Sequence, residues 1–138
     1  MNKVNRTEIT KKNINLLLHK DKVRFALFCA KQVKQTKLEA IECIRIVELW
    51  LDGKATMDEC RAAATAAYYA VYAANVASHV SVYATAYTAA YAVTDAHRST
   101  AYATRYASNT KHEVIKQEEY LYELIHINEI VEQILLCD

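Results

Sequence analysis

The chain has 138 residues, 53% of them hydrophobic and 24% charged, with a formal net charge of +1. That is the balance of one soluble globular domain, and the length is too short for two full ones. Against 22 alanines and 10 tyrosines it carries no proline and a single glycine, Gly53, which excludes turn-rich β sandwiches and barrels and every glycine-rich phosphate loop.

The first 20 residues are polar and basic, without the apolar stretch of a secretory signal, and read as a loosely ordered leader with a weak helical turn over 8–18. Asp21 is placed to cap a helix over 22–34. Thr36-Lys-Leu-Glu39 is a capping box, in which the hydroxyl takes an amide hydrogen and the Glu reaches back, and it opens a helix over 37–51. Ala40, Cys43, Ile44, Val47, Trp50 and Leu51 form the apolar stripe of that helix, and Gly53 ends it in the left-handed conformation. A second box, Thr56-Met-Asp-Glu59, opens 57–74; helices over 77–93 and 95–107 follow. A third box, Thr110-Lys-His-Glu113, opens 111–135, where Tyr120, Leu124, Ile127, Val131 and Ile134 recur in steps of four and three. No segment shows β alternation. The expected fold is all-α: residues 1–138 as a single-domain bundle of five to six helices with an alanine- and tyrosine-rich central layer.

Charge divides the chain. Residues 1–37 carry ten basic and two acidic side chains, residues 108–138 two basic and seven acidic, and residues 62–107 only Asp95, Arg98 and Arg105. Central helices enclosed by charged flanking ones would produce this pattern. The uncharged run after Arg61 is Ala, Tyr, Thr and Ser rather than Leu, Ile and Phe, so a membrane span is not expected. Cys29, Cys43, Cys60 and Cys137 lack C-x-x-C spacing and read as free thiols of a reducing cytoplasm.

Eighteen of the alanines and eight of the tyrosines fall between residues 62 and 107. Alanine allows close helix approach, and tyrosine supplies the area that alanine lacks. Tyr68 and Tyr72 are four apart; His79, Tyr83, Tyr87 and Tyr91 continue in steps of four; Asp95, Arg98, Tyr102 and Arg105 extend the series in steps of four and three. Asp95 and Arg98 are spaced to pair directly. The candidate binding residues are therefore Tyr83, Tyr87, Tyr91, Asp95, His97, Arg98, Tyr102 and Arg105. Two readings stay open: a structural one, either a satisfied internal polar network or a rim of half-exposed tyrosines with wet hydroxyls, and a polar cleft that takes a small ligand or a partner's side chain.

Signals for catalysis and metal binding are absent from the motif set. There is no H-E-x-x-H and no G-x-S-x-G, and Glu123-Leu-Ile-His126 is one isolated Glu-x-x-His element where a di-iron site needs two. No cofactor and no metal is expected, and the chain is not read as an enzyme. The basic arm (Lys3, Arg6, Lys11, Lys12 and onward to Lys37) lacks the interleaved aromatics of nucleic-acid binders and reads as a solvated face.

The run Glu39-Ala-Ile-Glu-Cys-Ile-Arg-Ile-Val-Glu-Leu-Trp50, the turn Leu51-Asp-Gly-Lys54, the start Glu59-Cys-Arg61 and the tract Ala62-Ala-Ala-Thr-Ala-Ala67 resemble a family of bacterial immunity proteins. That family is the immunity-five-like group associated with polymorphic toxins. Asp95-Ala-His97 and Thr100-Ala-Tyr-Ala-Thr-Arg105 match its later alanine-rich stretch, while tyrosine and threonine replace many of its alanines and histidines. The resemblance implies a cytoplasmic, non-enzymatic protein that neutralises a cognate toxin or effector by direct binding. A small-ligand or nucleotide binder using the Tyr/Asp/Arg residues, and a structural module that forms homo-oligomers through alanine-rich faces, are the alternatives.

Overall fold

In the computed structural model the described residues are 17–35, 37–74, 80–108 and 110–136, of which 71–74, 80, 81, 97 and 128–136 are described by backbone alone. They form an all-α bundle: α1 (His19–Gln32), α2 (Leu38–Leu51), α3 (Met57–Ala74), α4 (Val80–Tyr91), α5 (Ala96–Ala107) and α6 (Lys111–Leu136), with no strand among the described residues. Of the leader expected over residues 1–20, residues 1–16 lie outside them, while Leu17 is buried and His19 and Lys20 already belong to α1, so the expectation is corrected at that end.

Helix α4 is the hub. It packs against α1, α2, α3 and α5, and Tyr83, Ala84, Thr85, Ala86, Thr88, Ala89 and Ala90 are all buried. A helix buried on nearly every side must be apolar all round yet slim, which is what alternating alanine and threonine provides. The Thr88 hydroxyl folds back onto the carbonyls of Ala84 (2.7 Å) and Thr85 (3.0 Å), so its burial strands no donor. Enclosure by flanking helices thus holds for α4, whereas α3 and α5 each keep an open face.

Register follows from a few bonds. The Cys43 thiol donates to Ala63 O (3.0 Å) and the Cys60 thiol to Ile46 O (4.0 Å), so α2 and α3 run antiparallel. Thr100 Oγ1 donates to Lys22 O (3.1 Å) and Cys29 Sγ meets Thr104 Oγ1 (3.8 Å), so α5 runs alongside α1 in the same direction. Helix α6 returns antiparallel over α1, with Tyr120 stacked on Phe28 at 4.6 Å and Gln32 Nε2 donating to Glu113 O at 3.0 Å.

The helix ends largely follow their signals. Gly53 sits at φ 76° past α2; its N–H reaches Trp50 O (3.0 Å) and that of Lys54 reaches Leu49 O (2.7 Å), a Schellman stop. At α3 the capping box closes both ways: Glu59 N–H to Thr56 Oγ1 (3.1 Å) and Thr56 N–H to Glu59 Oε1 (3.0 Å). At α6 the Glu113 N–H reaches Thr110 Oγ1 (3.3 Å), but the Glu113 carboxylate takes the Thr110 hydroxyl instead of its amide.

Three expectations are corrected. Helix α1 starts at His19, not after Asp21; Asp21 stands inside the first turn, where the helix dipole favours a carboxylate, and pairs with Arg24 at 2.7 Å. Helix α2 starts one residue late, with Lys37 at the cap position; Thr36, and with it any bond of its capping box, lies outside the described residues, and Glu39 accepts the Tyr83 hydroxyl. The seam of α6 is rotated: Gln117, Leu121, Leu124 and Ile125 are buried, Tyr120 is half-buried and Ile127 is exposed, while the side chains of Val131 and Ile134 lie outside the described residues. Helix α6 meets the bundle through α1, so the side facing α1 decides the seam.

Candidate binding face

The tyrosine series does not form one cleft. The turn over residues 92–94 separates α4 from α5 and divides it into two groups with different surroundings.

The α4 group is an aromatic chain. Tyr83 is 5% exposed, and its hydroxyl donates to Glu39 Oε2 at 3.4 Å; burial, then the adjacent carboxylate, push that hydroxyl's pKa up. Tyr87 meets Tyr68 of α3 edge-to-face at 5.4 Å and Tyr91 at 6.1 Å, and Tyr68 meets Tyr69 at 5.7 Å. Each such pair contributes about 0.5–1.5 kcal/mol beyond its buried area. These rings join α3 to α4, which is the gripping role that spacing predicts. Only its outer end, Tyr69 at 64%, is well exposed.

The α5 group is an open ladder. Arg98 and Arg105 place their guanidinium carbons 6.0 and 5.7 Å from the centroid of the half-buried Tyr102 ring, and Tyr106 stacks on Tyr102 at 6.2 Å. Residues four and three apart share one helix face, so the four side chains form a single outward strip. Tyr106 was not among the expected residues, although its position four after Tyr102 is the signal that finds it. The side chain of His97 lies outside the described residues.

The expected Asp95–Arg98 pair does not form. Arg24, Arg45 and Arg61 each bind the carboxylate three residues earlier, Asp21, Glu42 and Asp58. Those three carboxylates belong to helices. Asp95 precedes α5 in a non-helical conformation (φ −126°, ψ 71°), outside the regular helical spacing that brings the other three pairs together. Among the described residues Arg98 and Arg105 have no ion pair, and their charges are directed outward over a phenol ring.

An internal polar network exists, and around α5 serine, threonine and glutamine build it. The inner face of α5 buries Ser99, Thr100, Ala103, Thr104 and Ala107, none larger than threonine. Thr104 bonds back to Thr100 O (2.8 Å) and Ser108 to Thr104 O (2.6 Å). The fully buried Gln117 of α6 donates to Gln32 Oε1 (2.9 Å) and to Thr104 O (3.3 Å), and its own carbonyl lies 2.9 Å from Ser108 Oγ. Gln117 lies four before Leu121 on the buried stripe, so its setting was readable once that stripe was assigned correctly.

Reactive chemistry is poorly supplied. Burial pushes the thiols of Cys29 and Cys43 up to about 12 and that of Cys60 to about 11, which keeps them protonated and unreactive at neutral pH; Cys137 lies outside the described residues. No group of three or more His, Cys, Asp or Glu that could hold a metal occurs among the described residues. Glu123 and His126 are both exposed, and the His126 ring stacks on Tyr122 at 6.1 Å. A cavity of about 650 Å³ opens between the start of α1 and α6, lined by Leu18, His19, Lys20, Asp21, Arg24, Leu124 and Ile127, none of them an expected binding residue.

No family model, curated protein or solved structure matches this chain. No helix among the described residues is long and apolar enough to cross a membrane.

Proposed function

We propose that this protein is a non-enzymatic inhibitor of the immunity type, a cytoplasmic protein that neutralises a cognate toxin or effector by binding it through the outer face of α5. The observation that carries this reading is the Arg98–Tyr102–Arg105–Tyr106 strip: two arginines without carboxylate partners among the described residues, bracketing aromatic rings on one exposed face. Arginine and tyrosine dominate the residues whose loss costs interfaces most, because both offer flat, weakly hydrated area with a polar edge. A second support is the buried state of the thiols, which leaves the chain without an activated nucleophile among its described cysteines. The resemblance of residues 39–67 to immunity proteins supplies the class of partner.

The test is co-expression. The products of the neighbouring genes are produced in a heterologous host, and one that arrests growth is paired with the wild-type protein or with the Arg98→Glu/Arg105→Glu double variant. Growth rescued by the wild type and lost with the variant is the expected result. No rescue, with no complex between the purified proteins, overturns the proposal.

A further inference from the structure

We infer that the α5 strip is built for an acidic helix, one that presents two carboxylates two turns apart with an apolar residue between them; this rests on the reading of α5 as the binding face. Arg98 and Arg105 are seven residues apart, which at 1.5 Å per residue separates them by about 10 Å along one side of the helix. Carboxylates at positions i and i+7 of a second helix have the same separation and the same facing. Each guanidinium offers a planar fork of donors suited to a carboxylate, and each is held near the Tyr102 ring, so little side-chain freedom is lost on pairing. Tyr102 lies between them, half-buried and flanked by both guanidinium groups and by Tyr106, so a leucine or alanine of the partner packs against the edge of this cluster.

The charge pattern selects a peptide over a nucleic acid. A phosphate backbone carries a charge every few ångströms and rewards many cations in a row. Here only two unpaired arginines occur on the strip. Two cations about 10 Å apart match two discrete carboxylates and not a continuous run of phosphates.

The test is an amide chemical-shift titration of the full chain with a stapled alanine-based helix of about 15 residues. The probe bears glutamates at i and i+7 and leucine at i+4, and its control has both glutamates replaced by glutamine. Shifts centred on residues 98–106 are expected, with affinity about tenfold weaker for the control and for the Arg98→Gln/Arg105→Gln variant, and weaker again at about 0.5 M salt. An absence of shifts at millimolar probe, equal affinity for the glutamine control, or tighter binding of a DNA duplex at the same residues overturns the inference. Toxin rescue that persists while the probe fails removes this inference alone; probe binding without rescue removes the inhibitor reading alone.

Discussion

Replacing Gln117 with leucine removes a buried side chain that ties α5, α6 and α1 together at a single point. The amide is fully buried and serves Gln32 Oε1 (2.9 Å), Thr104 O (3.3 Å) and Ser108 Oγ (2.9 Å). Leucine has nearly the same volume, so little cavity forms and the loss is mainly polar. Ser108 still has Thr104 O at 2.6 Å, which leaves Gln32 Oε1 as the principal orphan, and Gln32 is only half-buried. A group stranded in such a setting costs about 1–3 kcal/mol, toward the lower end where water reaches it. Gln117→Ala adds an unfilled cavity and costs about 2–4 kcal/mol. Urea unfolding followed by circular dichroism measures both, with the m-value unchanged, and amide hydrogen exchange is expected to accelerate first in α5. A leucine variant as stable as the wild type, or alanine no worse than leucine, would refute the view that this network holds α5 in place.

Arg98→Ala is expected to leave stability within about 0.5 kcal/mol, since Arg98 is exposed and has no ion pair among the described residues; a large drop in thermal midpoint would return it to a structural role. Gly53→Ala is expected to cost about 1–2 kcal/mol through backbone conformation alone, because φ is 76° and nothing lies within 4 Å of the added carbon. Stability is expected to fall as pH rises above about 8.5, where unfolded thiols release protons that the buried Cys29 and Cys43 retain up to about 12. The folded state then binds more protons than the unfolded one, each of these thiols adds a loss of about 1.4 kcal/mol per pH unit, and Cys43→Ala flattens the measured profile accordingly.

Helix positions were legible because the signals were local. Thr56 with Glu59, Thr110 with Glu113, and Gly53 act within one turn, and each stands where its chemistry places it. The stripe of Ala40, Cys43, Ile44 and Val47 is buried as its spacing indicates. Spacing does not tell which side of a long helix meets its neighbour: of the expected α6 seam Tyr120 and Leu124 pack on the bundle, but Ile127 is exposed and Leu121 and Ile125 are buried in its place. The facing of the tyrosine series changes at a turn. Steps of four and three carry a facing through one helix but not across residues 92–94, so Tyr83–Tyr91 became an interhelix grip while Arg98–Tyr106 became a surface strip. The identity of the buried polar groups was hidden as well, since threonine that bonds its own helix looks no different in sequence from threonine in water.

Because the buried face of α5 consists, among the described residues, of methyl groups and short hydroxyls, its inward contacts place little demand on what its opposite side displays. Its exposed positions, Arg98 and Arg105 among them, can therefore change without disturbing the chassis beneath. A scaffold organised in this way separates what holds a helix in place from what that helix displays, and an engineer who wishes to rewrite the outer face has a cassette with natural seams.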